Sequence, residues 1–108
     1  MSEKTKKGAS SGEVERYVLR LFVSGATPRS TNAIANIKAI CERELAGRYQ
    51  LEVIDIYQQP DLARSHEIVA VPTLVKSLPA PIRHLIGDLS EEEKVLVGLD
   101  LRPKKDGP

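Results

Sequence analysis

The hydrophobic pattern divides the chain into short blocks. Tyr17 to Val23, YVLRLFV, is a β-branched and aromatic run broken by one arginine, which predicts a mostly buried strand. Ser24-Gly25-Ala26 turns the chain. Thr27-Pro28 then reads as a helix N-cap followed by proline at the first helical position, where its missing N–H costs nothing. Apolar residues recur at Ile34, Ile37, Cys41 and Leu45, with Ile40 beside them. That spacing makes one face of a helix over about 28–46, with Gly47 as its stop. Gln50 to Tyr57, QLEVIDIY, alternates at Leu51 and Val53 and ends on Ile54 and Ile56, a second strand. A strand, a long helix and a strand form a βαβ unit, whose strands run parallel across a right-handed crossover.

Pro60-Asp61 opens a short helical segment through about Ile68. The run Val69 to Val75 is strand-like but interrupted by Pro72, which must sit at an edge, at a strand start or on a cis bond. Pro79 and Pro81 exclude a regular helix there, and Ile82 to Ile86 fits a strand turned by Gly87-Asp88. Ser90-Glu91-Glu92-Glu93 has the form of a capping box and predicts a helix to about Leu99. Yet Val95, Val97, Leu99 and Leu101 alternate with Leu96, Gly98 and Asp100, a period of two. Two periods compete over the same residues, and Gly98 weakens the helix by roughly 1 kcal/mol relative to alanine.

If the capping box wins, the order is βαβαββα, a mixed sheet with helices on both faces, as in the thioredoxin architecture. The expected domain spans 16–101, between a polar N-terminal tail over 1–15 and a tail over 102–108, both disordered. The only cysteine, Cys41, allows no intramolecular disulfide. With no apolar stretch near the roughly 18 residues of a membrane span and no apolar segment after the basic N-terminal residues, the expectation is a cytoplasmic protein. Net charge is +1, but Tyr17 to Leu101 holds nine basic and eleven acidic residues. A body without a basic stripe argues against nucleic-acid binding.

Catalytic chemistry finds little support. Thioredoxin-type exchange needs a thiolate at the helix start with a second thiol one turn on. This chain has Thr27-Pro28-Arg29-Ser30 there, and Cys41 lies on the apolar helix face. Ser24, Thr27 and Ser30 are read as caps and loop formers. His66 and His84 have no metal-ligand spacing, Gly25 stands outside any nucleotide fingerprint, and Asp55 has no partner carboxylate. No metal or cofactor is expected, and the chain reads as a binding module.

Four segments together carry a resemblance: YVLRLFVSGATPRS (Tyr17–Ser30), LEVIDIYQQPDLA (Leu51–Ala63), VPTLVKSLPAPIRHLIGDLS (Val71–Ser90) and EKVLVGLDL (Glu93–Leu101). In order and spacing they closely resemble the KaiB family of bacterial circadian-clock proteins. The resemblance implies a non-enzymatic regulator that binds the N-terminal ring of the hexameric ATPase KaiC. In cyanobacteria the bound ring captures KaiA, and KaiB displaces a related thioredoxin-like sensor-kinase domain. It also implies metamorphism: a ground state of order βαββααβ, self-associated as a tetramer or dimer, and a rare binding-competent monomer of order βαβαββα.

By the same resemblance, Tyr17, Gly98 and Asp100 occupy positions that influence the switch. Glycine permits backbone angles that alanine resists, and a carboxylate near a helix C-terminus opposes the dipole. Pro72 falls where thioredoxin folds place a cis-proline, and Pro79 and Pro81 flank a segment that rearranges. Departures fall at candidate partner-binding positions. Glu52 and Glu67 stand where relatives with a KaiA partner carry lysine, His84 replaces the second arginine of a pair that begins at Arg83, and Ala80 replaces a frequent proline. Charge reversals at a rim change partner choice, which argues against KaiA and leaves the KaiC-type partner. The alternatives are a fixed thioredoxin-like adaptor for a histidine kinase or stress-response partner, and a redox or glutathione-type enzyme.

Overall fold

The computed structural model describes residues 16–102; both expected tails lie almost wholly outside that range. The order is β1 (Tyr17–Val23), α1 (Pro28–Glu44), β2 (Tyr49–Asp55), α2 (Pro60–Ser65), β3 (Thr73–Leu78), β4 (Arg83–Ile86) and α3 (Glu92–Gly98). The four strands form one sheet in the order β2-β1-β3-β4. β1 and β2 are parallel from Tyr17 opposite Tyr49 to Val23 opposite Asp55. β3 runs antiparallel to β1, with Leu21 opposite Leu74 and an irregularity at Val18/Leu19. β4 runs antiparallel to β3 from Thr73 opposite Ile86 to Lys76 opposite Arg83. This is the expected βαβαββα order, not βαββααβ.

Each sheet face has its own core. Leu19, Leu21, Val23 and Leu74 pack with Ala33, Ile37, Ile40, Cys41 and Leu45 and with Val95, Leu96 and Leu99, so α1 and α3 share one face. The other face is smaller: Phe22, Ile54 and Val75 under Leu62, Ala63, Ile68 and Val71 around α2. With one phenylalanine and three tyrosines in the chain, aliphatic side chains do most of this filling.

Several element ends differ from the pattern. α1 stops at Glu44, the cap N–H of Leu45 bonding the Cys41 carbonyl, and Gly47 turns the chain at φ +78°. β2 ends at Asp55, because Tyr57 and Gln58 bond back to Asp55 and begin a turn. Of the apolar end expected to be buried, Ile54 is and Ile56 is half-buried, and Val53 is 40% exposed on a strand at the edge of the sheet. α2 ends at Ser65, three residues early. Pro72 satisfies two of its three allowed options: it precedes the first residue of β3, on a cis Val71–Pro72 bond. The Leu78–Pro79 and Ala80–Pro81 bonds are cis as well.

The capping box does not form. The N-cap of α3 is Glu91, with no side-chain cap bond. Ser90 is drawn one residue back, its N–H donating to the Asp88 carboxylate at 3.1 Å. That local turn competes with the helix for the serine, a known tendency of Asp and Ser near helix starts. Of the two competing periods the helical one holds, over Glu92–Gly98.

Candidate functional site

At the thioredoxin-type junction the structure holds caps. Thr27 Oγ1 accepts from the Ser30 N–H at 3.3 Å, and Ser30 Oγ accepts from the Ser24 N–H at 3.2 Å. Ser30 is fully buried, so its hydroxyl spans loop and helix instead of facing a substrate. Burial, with the Glu42 carboxylate nearby, pushes the Cys41 thiol up to about 12, which leaves no thiolate for exchange near neutrality. A cleft of about 370 Å³ lies beside the junction, lined in part by Arg29, Gly87, Asp88, Glu91 and Lys94. Three of its charges already have partners: Lys94 and Glu91 pair at 2.9 Å, and Asp88 accepts from the Ser90 N–H. Among the described residues no group of three or more His, Cys, Asp or Glu side chains is placed to hold a metal ion.

Of the residues marked for switching, Tyr17, Pro79, Gly98 and Asp100 converge at the end of α3. A helix leaves its last carbonyls without intrahelical partners, and here those of Leu96 and Val97 are met from just beyond its end. The Asp100 N–H bonds the Val97 carbonyl at 3.0 Å and the Leu101 N–H bonds the Leu96 carbonyl at 2.8 Å. This is the Schellman pattern, with Leu101 and Leu96 in the same apolar cluster. The left-handed residue of that pattern is usually glycine; here it is Asp100, at φ +62°. Aspartate tolerates this region better than most residues, but it still costs about 1–2 kcal/mol. The Leu99 carbonyl accepts from the buried Tyr17 hydroxyl at 2.9 Å, which ties the start of β1 to the end of the chain's last helix.

The Asp100 carboxylate turns back onto the sheet. Oδ2 lies 2.8 Å from Lys76 Nζ, and Oδ1 lies 3.2 Å from the Arg83 guanidinium. The hydrogen bond from Lys76, then those from Arg83, hold the Asp100 carboxyl below its ordinary value. The dipole argument against a carboxylate here is therefore incomplete: in this arrangement two cations on adjacent strands face it. Lys76 also donates to the Pro79 carbonyl at 2.6 Å, which brings Pro79 into the cluster. Gly98 needs a different explanation from backbone freedom, because it lies inside α3 and is not among the positive-φ glycines. A Cβ there would stand 2.4 Å from Leu85 Cδ2 and 3.0 Å from Leu85 Cγ. Glycine lets α3 approach β4 closely.

Tyr17, Pro79, Arg83, Gly98 and Asp100 are thus brought together; Pro72, Pro81, Glu52, Glu67 and His84 are not linked to them. Pro72 lies at the other end of β3, its carbonyl accepting from the Gly87 N–H at 3.0 Å. Pro81 is exposed in the β3–β4 connection. Glu52, Arg20, Val75 and His84 sit side by side across the four strands on the α2 face, with Glu52 Oε1 3.3 Å from Arg20 Nε. Glu67 is exposed just past α2 at φ 56°. Arg83, a candidate for partner contact, is engaged within the fold by Asp100. The residue that sequence reasoning missed is Lys76, fully buried. The one available signal was a single lysine inside the strand run Leu74-Val75-Lys76-Ser77-Leu78, which is otherwise apolar except for Ser77.

The comparisons agree with this fold. A KaiB domain model matches residues 20–101. The chain is 54% identical over 85 residues to the circadian clock oscillator protein KaiB of Prochlorococcus marinus subsp. pastoris, covering 79% of each chain. It is 47% identical over 92 residues to the circadian clock protein KaiB3 of Synechocystis sp., covering 85% of this chain and 90% of that one. Among solved structures, the N-terminal domain of Synechococcus elongatus SasA superposes with a TM-score of 0.66 at 26% identity, covering 89% of this chain and 94% of that domain. Mitochondrial thioredoxin 3 of Saccharomyces cerevisiae superposes with a TM-score of 0.66 at 15% identity over 82% and 80% of the two chains, which shows the fold alone. The chain belongs to the KaiB family of circadian clock proteins, in a thioredoxin-like arrangement of that family's sequence.

Proposed function

We propose that this protein is a cytoplasmic clock-type regulator that binds the N-terminal ring of a KaiC-type ATPase, and that the arrangement described here is its binding-competent one. KaiB clock proteins are non-enzymatic, and the capped junction and inert Cys41 support a docking role for the same architecture. The working unit is residues 16–101. The observation that carries the reading is the convergence at the end of α3. Tyr17 from one end of the domain, and Gly98 and Asp100 from the other, each make a tie specific to a helical C-terminus. A second order, βαββααβ in a tetramer or dimer, would give these ties up. Two packings within a few kcal/mol then let a partner pull the population toward the one it binds. Arg83, 48% exposed although it pairs with Asp100, stays in the partner-contact set with the exposed Glu52, Glu67 and His84, and their charge pattern disfavours KaiA.

The test is to mix the purified protein with its co-encoded KaiC-type ATPase and ATP and follow the mixture by analytical size exclusion. A large complex holding both chains supports the reading. No complex with a competent ATPase overturns it. The superposition on the SasA domain supports the fold of one alternative, a fixed thioredoxin-like adaptor for a histidine kinase or stress-response partner. An oxidoreductase or glutathione-type activity would show as turnover of a disulfide or glutathione substrate that is lost in Ser30→Ala; none is expected, because Ser30 is buried and its hydroxyl bonds the Ser24 N–H.

A further inference from the structure

We infer that Lys76 is the latch of the C-terminal helix: its buried ammonium is satisfied only while Asp100 and the Pro79 carbonyl stand over it. The inference deepens the fold-switch reading above by naming the residue that holds this arrangement closed. Lys76 lies in β3, the strand between β1 and β4, opposite Leu19 on one side and Arg83 on the other. Its side chain has no exposure. Two oxygens face the ammonium, Pro79 O at 2.6 Å and Asp100 Oδ2 at 2.8 Å.

The two cations on Asp100 are not equivalent. Arg83 is 48% exposed, so water replaces its partner at little cost. Lys76 has no such recourse while the sheet stays packed. A buried charge that loses its partner is penalised far more than the pair itself is worth, by about a hundredfold or more in an equilibrium. Asp100 is the second residue past the end of α3 and follows that helix. Detaching α3 therefore strips Lys76, and the ammonium must reach water by opening the end of β3 as well. This couples release of the helix to loosening of the Leu78–Pro81 connection, through Pro79. It also makes Asp100 hard to replace while Lys76 is present, despite the left-handed backbone that would suit glycine.

The experiment compares the full chain with Lys76→Met, Asp100→Asn and the double variant. Opening of α3 is read from amide exchange at Leu99 and Leu101. Asp100→Asn is expected to raise opening about tenfold or more in the wild-type background and much less beside Lys76→Met, since methionine leaves no buried charge to strand. A ratio of the two changes above about threefold supports the latch, and a smaller ratio overturns it. A second readout needs no folded variant. In the wild type, acylation of Lys76 by an amine-reactive reagent, followed by mass spectrometry, should be over tenfold slower than that of the exposed Lys38 and Lys94. Equal rates overturn the latch. Neither readout involves the ATPase, so failure here leaves the partner assignment standing, and a failed mixing experiment leaves the latch standing.

Discussion

Tyr17 spans most of the chain with one bond. Its hydroxyl reaches the Leu99 carbonyl at 2.9 Å in a buried setting, where an unmet carbonyl is costly. Tyr17→Phe should lower the denaturant-unfolding free energy of this arrangement by about 1–3 kcal/mol with little change in slope. His66 gives the pH dependence. Its ring packs on Phe22 with centroids 5.4 Å apart. Burial first, then the charges of Arg20 and His84, lower its proton affinity. The unfolded chain, with an ordinary histidine near 6.5, thus binds more protons than the folded one as pH falls. Stability from this group is full above about 6.5 and is lost as pH drops through the lower folded value. Melting temperatures measured between pH 7 and 5 should fall on acidification, and His66→Gln should flatten that slope. Asp100 acts in a more acidic window: its depressed carboxyl contributes above its ordinary value near 4 and loses that contribution below it.

At the scale of elements, α3 is where the sequence was least decisive. Helical and strand periods overlapped over Val95–Leu101 because Gly98 and Asp100 fit the alternation, while Leu96 and the acidic start fit a helix. The structure shows what each answers to. Gly98 answers to Leu85 on β4, and Asp100 to Lys76 and Arg83 on β3 and β4. Such constraints come from other elements and leave no periodic trace. By contrast β1, α1 and the parallel β1–β2 pair were legible, because their apolar spacing and the Thr27-Pro28 start are local. The failed capping box was a local misreading: Asp88, two residues upstream, claims the Ser90 N–H. Of the site, Tyr17, Gly98 and Asp100 came from resemblance, while Lys76 needed coordinates, because a lysine's burial depends on which strand lies central. The Gly98–Leu85 approach yields a test. Gly98→Ala gains roughly 1 kcal/mol of helix propensity but forces Leu85 to move. A double-mutant cycle with Leu85→Ala should therefore return a coupling of about 0.5–3 kcal/mol, with alanine at 98 more favourable once Leu85 is truncated. Additive effects would show that Leu85 yields freely.

At the scale of the whole molecule, the sheet divides the labour. The α1 and α3 face carries the larger core and all the ties that define the helical C-terminus. The α2 face has a smaller core and leaves the row Glu52, Arg20, Val75 and His84 across its strands. The central claim is that a KaiC-type partner captures this arrangement from a protein that exchanges slowly between it and another. The most direct measurement is the rate of complex formation with the ATPase as its concentration is raised well above that of this protein. Capture from slow exchange predicts a phase of complex formation whose rate stops rising with ATPase concentration, set by the slow arrival of the helical C-terminus. A rate that climbs in proportion to ATPase concentration throughout would contradict the claim and leave a protein that binds in the form it already has.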